Sequence, residues 1–107
     1  MNSILQPWSF GGRIPHDAEC YLCHGMADER HHIFHGPNRQ MSEEDGCWVY
    51  LCHTCHMGLH QKPTHVTADG IEITTDLWLK RICQAQLMHE RQMTAEGFRA
   101  RYGRSYL

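Results

Sequence analysis

The chain has 107 residues, a formal charge of −2, ten histidines and six cysteines. That length allows one domain with a modest core, and a chain this short often needs a staple. The charge excludes a protein that coats nucleic acid non-specifically. Local phosphate contacts stay open, because Arg91, Arg99, Arg101 and Arg104 gather late in the chain and Arg30 and Arg39 bracket a histidine pair.

Met1-Asn2-Ser3-Ile4-Leu5-Gln6-Pro7 lacks a basic stretch followed by an apolar run, so no secretory leader is read there. No segment is apolar for long enough to cross a bilayer. A cytoplasmic protein without membrane contact is expected, in which paired cysteines act as metal clips rather than disulfides. Residues 1–19 carry Pro7, Gly11, Gly12 and Pro15 and read as an irregular arm anchored by Trp8 and Phe10. Cys20-Tyr21-Leu22-Cys23 reads as a tight metal-binding turn, and His31-His32-Ile33-Phe34 as a short strand. Gly36-Pro37-Asn38 opens a polar loop that runs through Gly46. Trp48-Val49-Tyr50-Leu51, all aromatic, β-branched or aliphatic, is a second strand.

A helix is expected from about Cys55, carrying His56 and His60. Asp69-Gly70 between Val66-Thr67 and Ile71-Glu72-Ile73 signals a hairpin with short arms. Asp76 reads as the N-cap of a helix beginning at Leu77, whose apolar stripe is Trp78, Ile82 and Ala85 with Leu79 and Cys83 beside them. Thr94 caps a last helix, Ala95–Tyr102, stopped by Gly103. The sum is a small α+β domain over 1–107: arm 1–19, core 20–60, hairpin or loop 61–75, and C-terminal helices 76–107.

Two spacings inside the core interlock. Cys20-x-x-Cys23 and Cys52-x-x-Cys55 are separated by 28 residues, 24 through 51. Two such clips present four thiolates to one ion, the donor set of a closed, structural zinc site that ties together the ends of a strand–loop–strand insertion. Four buried apolar cysteines are the plainer alternative; Cys47 and Cys83 lie outside the pattern and read as small core residues. His56 and His60 lie four apart, so on a helix their rings share a face and can chelate an ion. A third ligand is offered by His31 or His32. Neighbouring strand residues point to opposite sides, so one can bind the ion while the other stays free, as a base must. Three neutral ligands with open positions describe a hydrolytic site. His35, His53 and His65 read as bystanders, His24 beside Cys23 could compete for the metal although a four-cysteine set needs no fifth ligand, and Trp48 and Tyr50 read as core.

These residues resemble the HNH endonucleases, also called the His-Me finger or ββα-metal family. The likeness lies in Glu29-Arg30-His31-His32-Ile33, Val49-Tyr50-Leu51-Cys52-x-x-Cys55-His56 and His56-x-x-x-His60, covering roughly residues 20 to 60. The Gly36-Pro37-Asn38-Arg39 loop and the ending from Phe98 to Leu107 are more loosely similar to small HNH-like proteins of bacteriophages and prophages, and the histidine arrangement is also similar to colicin-type DNases. The resemblance implies a zinc-stapled ββα-metal domain that hydrolyses DNA phosphodiester bonds inside a bacterial host cell. It implies that His31, His56 and His60 hold a catalytic Mg2+, Mn2+, Ni2+ or Zn2+ and that His32 is the general base. Arg39 is the candidate for holding the phosphate, against its plainer reading as a solvated loop arginine. One position departs: the family usually has Asn nine residues before the first helix histidine, and here that residue is Cys47.

Two further functions compete with a nuclease. A non-catalytic zinc module that recruits nucleic acid or protein needs only the thiolate ion. A Cys-x-x-Cys oxidoreductase fits two clips with interleaved histidines less well.

Overall fold

Trp48-Val49-Tyr50-Leu51 has no polar alternation, so a strand made from it must be covered on both faces. In the computed structural model, which describes residues 2–7, 14, 17–61 and 63–107, this strand is fully buried along its length. It is β2, Trp48–Leu51, and it pairs antiparallel with β1, Glu29–His32, in the register Glu29 to Leu51 and His32 to Trp48. Between them lie a 3-10 turn, Gly36–Asn38, and α1, Arg39–Glu44. α2, His53–Met57, follows β2 directly. A second small sheet pairs β3, His65–Val66, with β4, Glu72–Ile73, and the chain closes with α3, Thr75–Arg91, and α4, Ala95–Tyr102. The result among the described residues is an α+β domain of two small sheets and four helices.

Four sequence expectations shift. The first strand begins at Glu29 and ends at His32, although Ile33 still donates its N–H to Cys47 O at 3.0 Å. The polar loop contains a helix, α1, because Arg39-Gln40-Met41-Ser42-Glu43-Glu44 is rich in good helix formers. It has no apolar stripe to announce it; its buried member is Ser42, whose hydroxyl donates to Cys47 O and accepts the Phe34 N–H. The helix after β2 starts earlier and is shorter than expected, so His60 lies in the turn beyond Gly58 and not on a helix with His56. α3 is capped by Thr74, whose side chain accepts the Leu77 N–H at 3.2 Å, which releases Asp76 from capping duty. The last helix has its expected bounds and caps, Thr94 and Gly103.

The arm is irregular over residues 2–7, and the anchoring expected of Trp8 and Phe10 lies outside the described residues. What holds residues 2–7 is Gln6. Its buried amide accepts the Tyr50 N–H at 2.8 Å and donates to Glu19 O at 3.0 Å. Gly46 has φ +73°, and a Cβ there would collide with Asn2 O, so only glycine lets the arm lie against this turn.

The core joins β2 to the C-terminal helices through Phe34, Phe98, Tyr102, Leu79, Leu87 and Cys83. Phe34 packs on Tyr102 at 4.6 Å and edge-on to Phe98 at 5.5 Å. At its border the Asp45 carboxylate, 1% exposed, accepts from Arg101 (2.6 and 2.9 Å), Arg91 (3.0 Å) and the Tyr102 hydroxyl (2.5 Å). Burial alone would raise its pKa; the Arg101 guanidinium and Tyr102 hydroxyl, with Arg91 behind, outweigh it and hold the carboxyl below its usual range.

Asp45→Asn should therefore cost about 2–3 kcal/mol at neutral pH, less than a fully buried pair because both arginines keep part of their surface in water. A depressed carboxylate stabilises the fold above its unfolded pKa of about 3.9 and loses that contribution as pH falls through the folded value. The stability gap between wild type and Asp45→Asn, read by denaturant melts, should narrow below about pH 4.

Candidate metal centre

The first clip is a knuckle built from the backbone. Cys20 donates its N–H to Gly25 O at 2.8 Å and His24 donates to Cys20 O at 2.9 Å, with His24 in the left-handed region at φ +66°. Tyr21 N–H bonds Tyr50 O at 2.9 Å and Asp28 N–H bonds Leu51 O at 3.1 Å, which fastens the knuckle to β2. The second clip straddles the start of α2, where the Cys52 sulfur caps the helix by accepting the Cys55 N–H at 3.4 Å. All four sulfurs, Cys20, Cys23, Cys52 and Cys55, come within 4.8 Å of one another, with Cys23 Sγ 3.7 Å from Cys52 Sγ. Cys47 and Cys83 sit in the core, away from this cluster.

The thiols are unevenly poised. Burial pushes the Cys20 thiol up, but the backbone N–H groups of Cys23, Cys52 and Leu22 bring it down to about 7. Burial, and then the sulfurs of Cys52, Cys23 and Cys20, push Cys55 far up. Four crowded thiols cannot all ionise beside one another without a cation to compensate them. The donor set and its closure fit a tetrahedral metal such as zinc.

Five histidines gather about β1 and the turns beyond it, and strand alternation sorts the two on the strand. His31 and Glu29 share one face with His56: the rings of His31 and His56 lie 5.1 Å apart, and Glu29 bonds His56 Nδ1 as well as His53 Nδ1, the latter at 2.9 Å. His31 is 7% exposed, its Nε2 is buried without a hydrogen-bond partner, and burial drives its pKa down to about 4. It is held as a neutral imidazole whose Nε2 meets no protein partner. His32 and Arg30 share the opposite face and meet Glu43 of α1: His32 Nε2 lies 2.9 Å from Glu43 Oε1 and Arg30 Nη1 lies 3.0 Å from the same oxygen. Arg30 also stacks over the Trp48 ring at 4.0 Å.

His31, His32, His35, His56 and His60, with Arg30 and Arg39, line one cavity of about 390 Å³. The three expected metal ligands are not gathered equally within it. His31 and His56 are neighbours, whereas His60 turns to Asp76 and His35, whose ligand atoms lie within 4.8 Å of its own. Sequence reading passed over three residues here. From the sequence, His35 reads as a bystander, Asp76 as an N-cap and Glu43 as part of a loop. Only the Asp76–Lys80 spacing of four was legible as a helical ion pair, and it forms at 2.9 Å. Among the remaining bystanders, His65 stacks on Trp78 at 4.5 Å and His53 stays exposed.

Cys47, where the HNH resemblance leads one to expect Asn, is fully buried, and its sulfur lies 4.0 Å from the Tyr102 hydroxyl and from Asp45 O. Glu43 bonds His32 instead. Cys47→Asn should accordingly bury an amide whose donors and acceptor this tightly packed site does not fully pair, and lower stability by roughly 1–3 kcal/mol in a chemical melt.

Serine caps helices as well as cysteine does but is a poor zinc ligand. Cys52→Ser should keep the α2 cap, lose the metal in native mass spectrometry, and melt without cooperativity across residues 20–60. A Cys52→Ser protein that folds normally without zinc would contradict the assignment.

No family model, no curated protein and no solved structure matches this chain, so its function is carried by the geometry of its own residues.

Proposed function

We propose that this chain is a metal-dependent endonuclease of the HNH, ββα-metal type that hydrolyses DNA phosphodiester bonds, with a structural zinc in the four-cysteine cluster. The observation that carries it is the cavity in which five histidines and two arginines converge. The order β1, β2, α2, closed by the thiol cluster, supports it. The cavity walls fit a divalent ion: a buried, unpartnered His31 Nε2 stands beside a His56 whose Nδ1 is held by Glu29. On this reading His31 and His56 are ligands; His60 joins them as the resemblance implies only if it turns away from Asp76. A divalent ion bound there would supply charge stabilisation for the phosphoryl oxygens and the leaving 3′-oxygen.

The rest is done by side chains. A carboxylate can only accept, so the His32 ring donates its Nε2–H to Glu43 and keeps Nδ1 as the basic nitrogen. His32 Nδ1 then takes a proton from the water that attacks phosphorus. Glu43, anchored by Arg30, holds the ring in that tautomer, as a carboxylate does behind other catalytic imidazoles. Arg39 is exposed on the cavity wall and can grip a phosphate by two parallel hydrogen bonds.

A second reading, a non-catalytic zinc module that recruits nucleic acid or protein, is favoured by one observation: the Lys80 ammonium already sits 2.9 Å from Asp76 and 3.5 Å from His35. Plasmid cleavage with magnesium, manganese, nickel or zinc separates the two. We expect nicking or cutting that falls by roughly 100- to 10,000-fold in His32→Ala with fold and zinc content retained. Glu43→Gln should lose less, about tenfold, and shift the pH–rate profile, because it misorients the base without removing it. No cleavage under any of the four metals, with DNA still bound, selects the binding module.

A further inference from the structure

We propose that His35, His60 and Asp76 form a divalent-cation site of their own, for which the Lys80 ammonium competes. The set differs from the His31, His56 and His60 implied by the resemblance. It stands whether or not the chain cuts DNA, because ion binding is read without a nucleic acid.

Three separate elements build it. His35 follows β1 and precedes the 3-10 turn. His60 lies in the turn after α2, where its neighbour Leu59 is buried and accepts the Asp76 N–H at 3.0 Å. That bond brings the first turn of α3 to the His60 turn. The ligand atoms of the three side chains lie within 4.8 Å of one another, with His60 Nδ1 3.9 Å from Asp76 Oδ2 and the two imidazoles edge-on at 6.3 Å.

Asp76 is the independent pointer to a ligand. Its side chain is 10% exposed, and its Oδ1 is buried without a partner while Oδ2 takes Lys80. A buried carboxylate oxygen left unpaired is costly, and a cation that displaced Lys80 from Oδ2 and drew on both oxygens would satisfy it. Lys80 marks the same spot from the other side, with its Nζ within 3.5 Å of both Asp76 Oδ2 and His35 Nε2. The charged and titratable groups around Asp76 are thus Lys80, His35 and His60, with His31 close enough to feel its charge. The Tyr106 ring, 5.5 Å from Lys80 Nζ, offers the ammonium a second resting place.

Two imidazole nitrogens and one carboxylate oxygen suit zinc, cobalt, manganese, nickel or ferrous iron rather than magnesium or calcium, which prefer all-oxygen sets. Three protein ligands leave positions open, as in sites that bind a further group. His60 held here is not a ligand beside His31 and His56.

The test uses the full chain loaded with one equivalent of zinc at the cysteines, dialysed, and titrated with cobalt(II) by calorimetry and visible absorption. We expect a second equivalent that persists in His31→Ala, apart from any ion taken up at His31 and His56, with the weak visible bands of nitrogen and oxygen ligation. His35→Ala and Asp76→Asn should each weaken it by at least roughly tenfold and leave the first equivalent in place. Lys80→Met, which keeps the aliphatic stem, should tighten it several-fold and raise the cobalt-induced shift in Tm. His35 is exposed, so its variant keeps the assay interpretable even where Asp76→Asn unfolds. Absence of a second equivalent overturns the proposal. So does cobalt binding whose stoichiometry and affinity are unchanged in both His35→Ala and Asp76→Asn. A protein that binds cobalt here yet cuts no plasmid leaves this site standing and removes the nuclease reading.

Discussion

Everything on the histidine face depends on the convergence of four sulfurs behind it. The strands β1 and β2 have four residues each, too short to hold a register by ladder hydrogen bonds alone. Cys20 and Cys23 lie before β1, Cys52 and Cys55 after β2, so one cluster closes the hairpin at its open end. The sulfur that completes the cluster also caps α2, and α2 is the element that carries His56 to Glu29 and His31. Loss of the cluster would free the base of the hairpin and the first turn of α2 together.

With that frame fixed, the face follows one rule: a carboxylate stands against an imidazole. Glu29 holds His56, Glu43 holds His32, and Asp76 stands 3.9 Å from His60. The two bonded pairs, Glu29–His56 and Glu43–His32, each set one ring nitrogen and leave the other for a proton or an ion, the usual device by which proteins fix a tautomer. The carboxylates are not spare charge. Burial opposes ionisation of Glu43, but His32 and Arg30 outweigh it and hold its pKa down, so it remains an acceptor at neutral pH. Around this cavity three acids of the chain stand against histidines, while Arg39 stays on the open wall.

The sequence was legible where chemistry is local. Cys-x-x-Cys spacing brings two sulfurs to one point whatever surrounds them. An unbroken aromatic and aliphatic run admits only a buried strand, and Thr94 and Gly103 mark both ends of α4. It was opaque where partners are brought together by packing. α1 buries a serine rather than an apolar stripe, so periodicity has nothing to detect. His35 and Asp76 are 41 positions apart and meet only because Leu59 ties α3 to the turn after α2. Thr74 and Asp76 both suit an N-cap, and nothing short of the backbone path decides that Thr74 takes the role. His56 and His60 fit a single helix by spacing, but the chain turns at Gly58 and separates them.

The C-terminal helices have a part in the site although they contribute only Asp76 and Lys80 near it. Glu43, which holds His32, is on α1, and α1 ends at Asp45. Arg91 at the end of α3 and Arg101 on α4 both close on Asp45, and Tyr102 adds its hydroxyl. At the other end of α1, the Asn38 amide donates to Tyr102 O at 3.0 Å. α1 is therefore pinned at both ends by α4, and the carboxylate that orients His32 inherits its position from that clamp. A short helix of six residues has too little intrinsic stability to hold an imidazole in place by itself. The packing of Phe98 and Tyr102 against Phe34 supplies the rigidity, and the Asp45 network transmits it to His32.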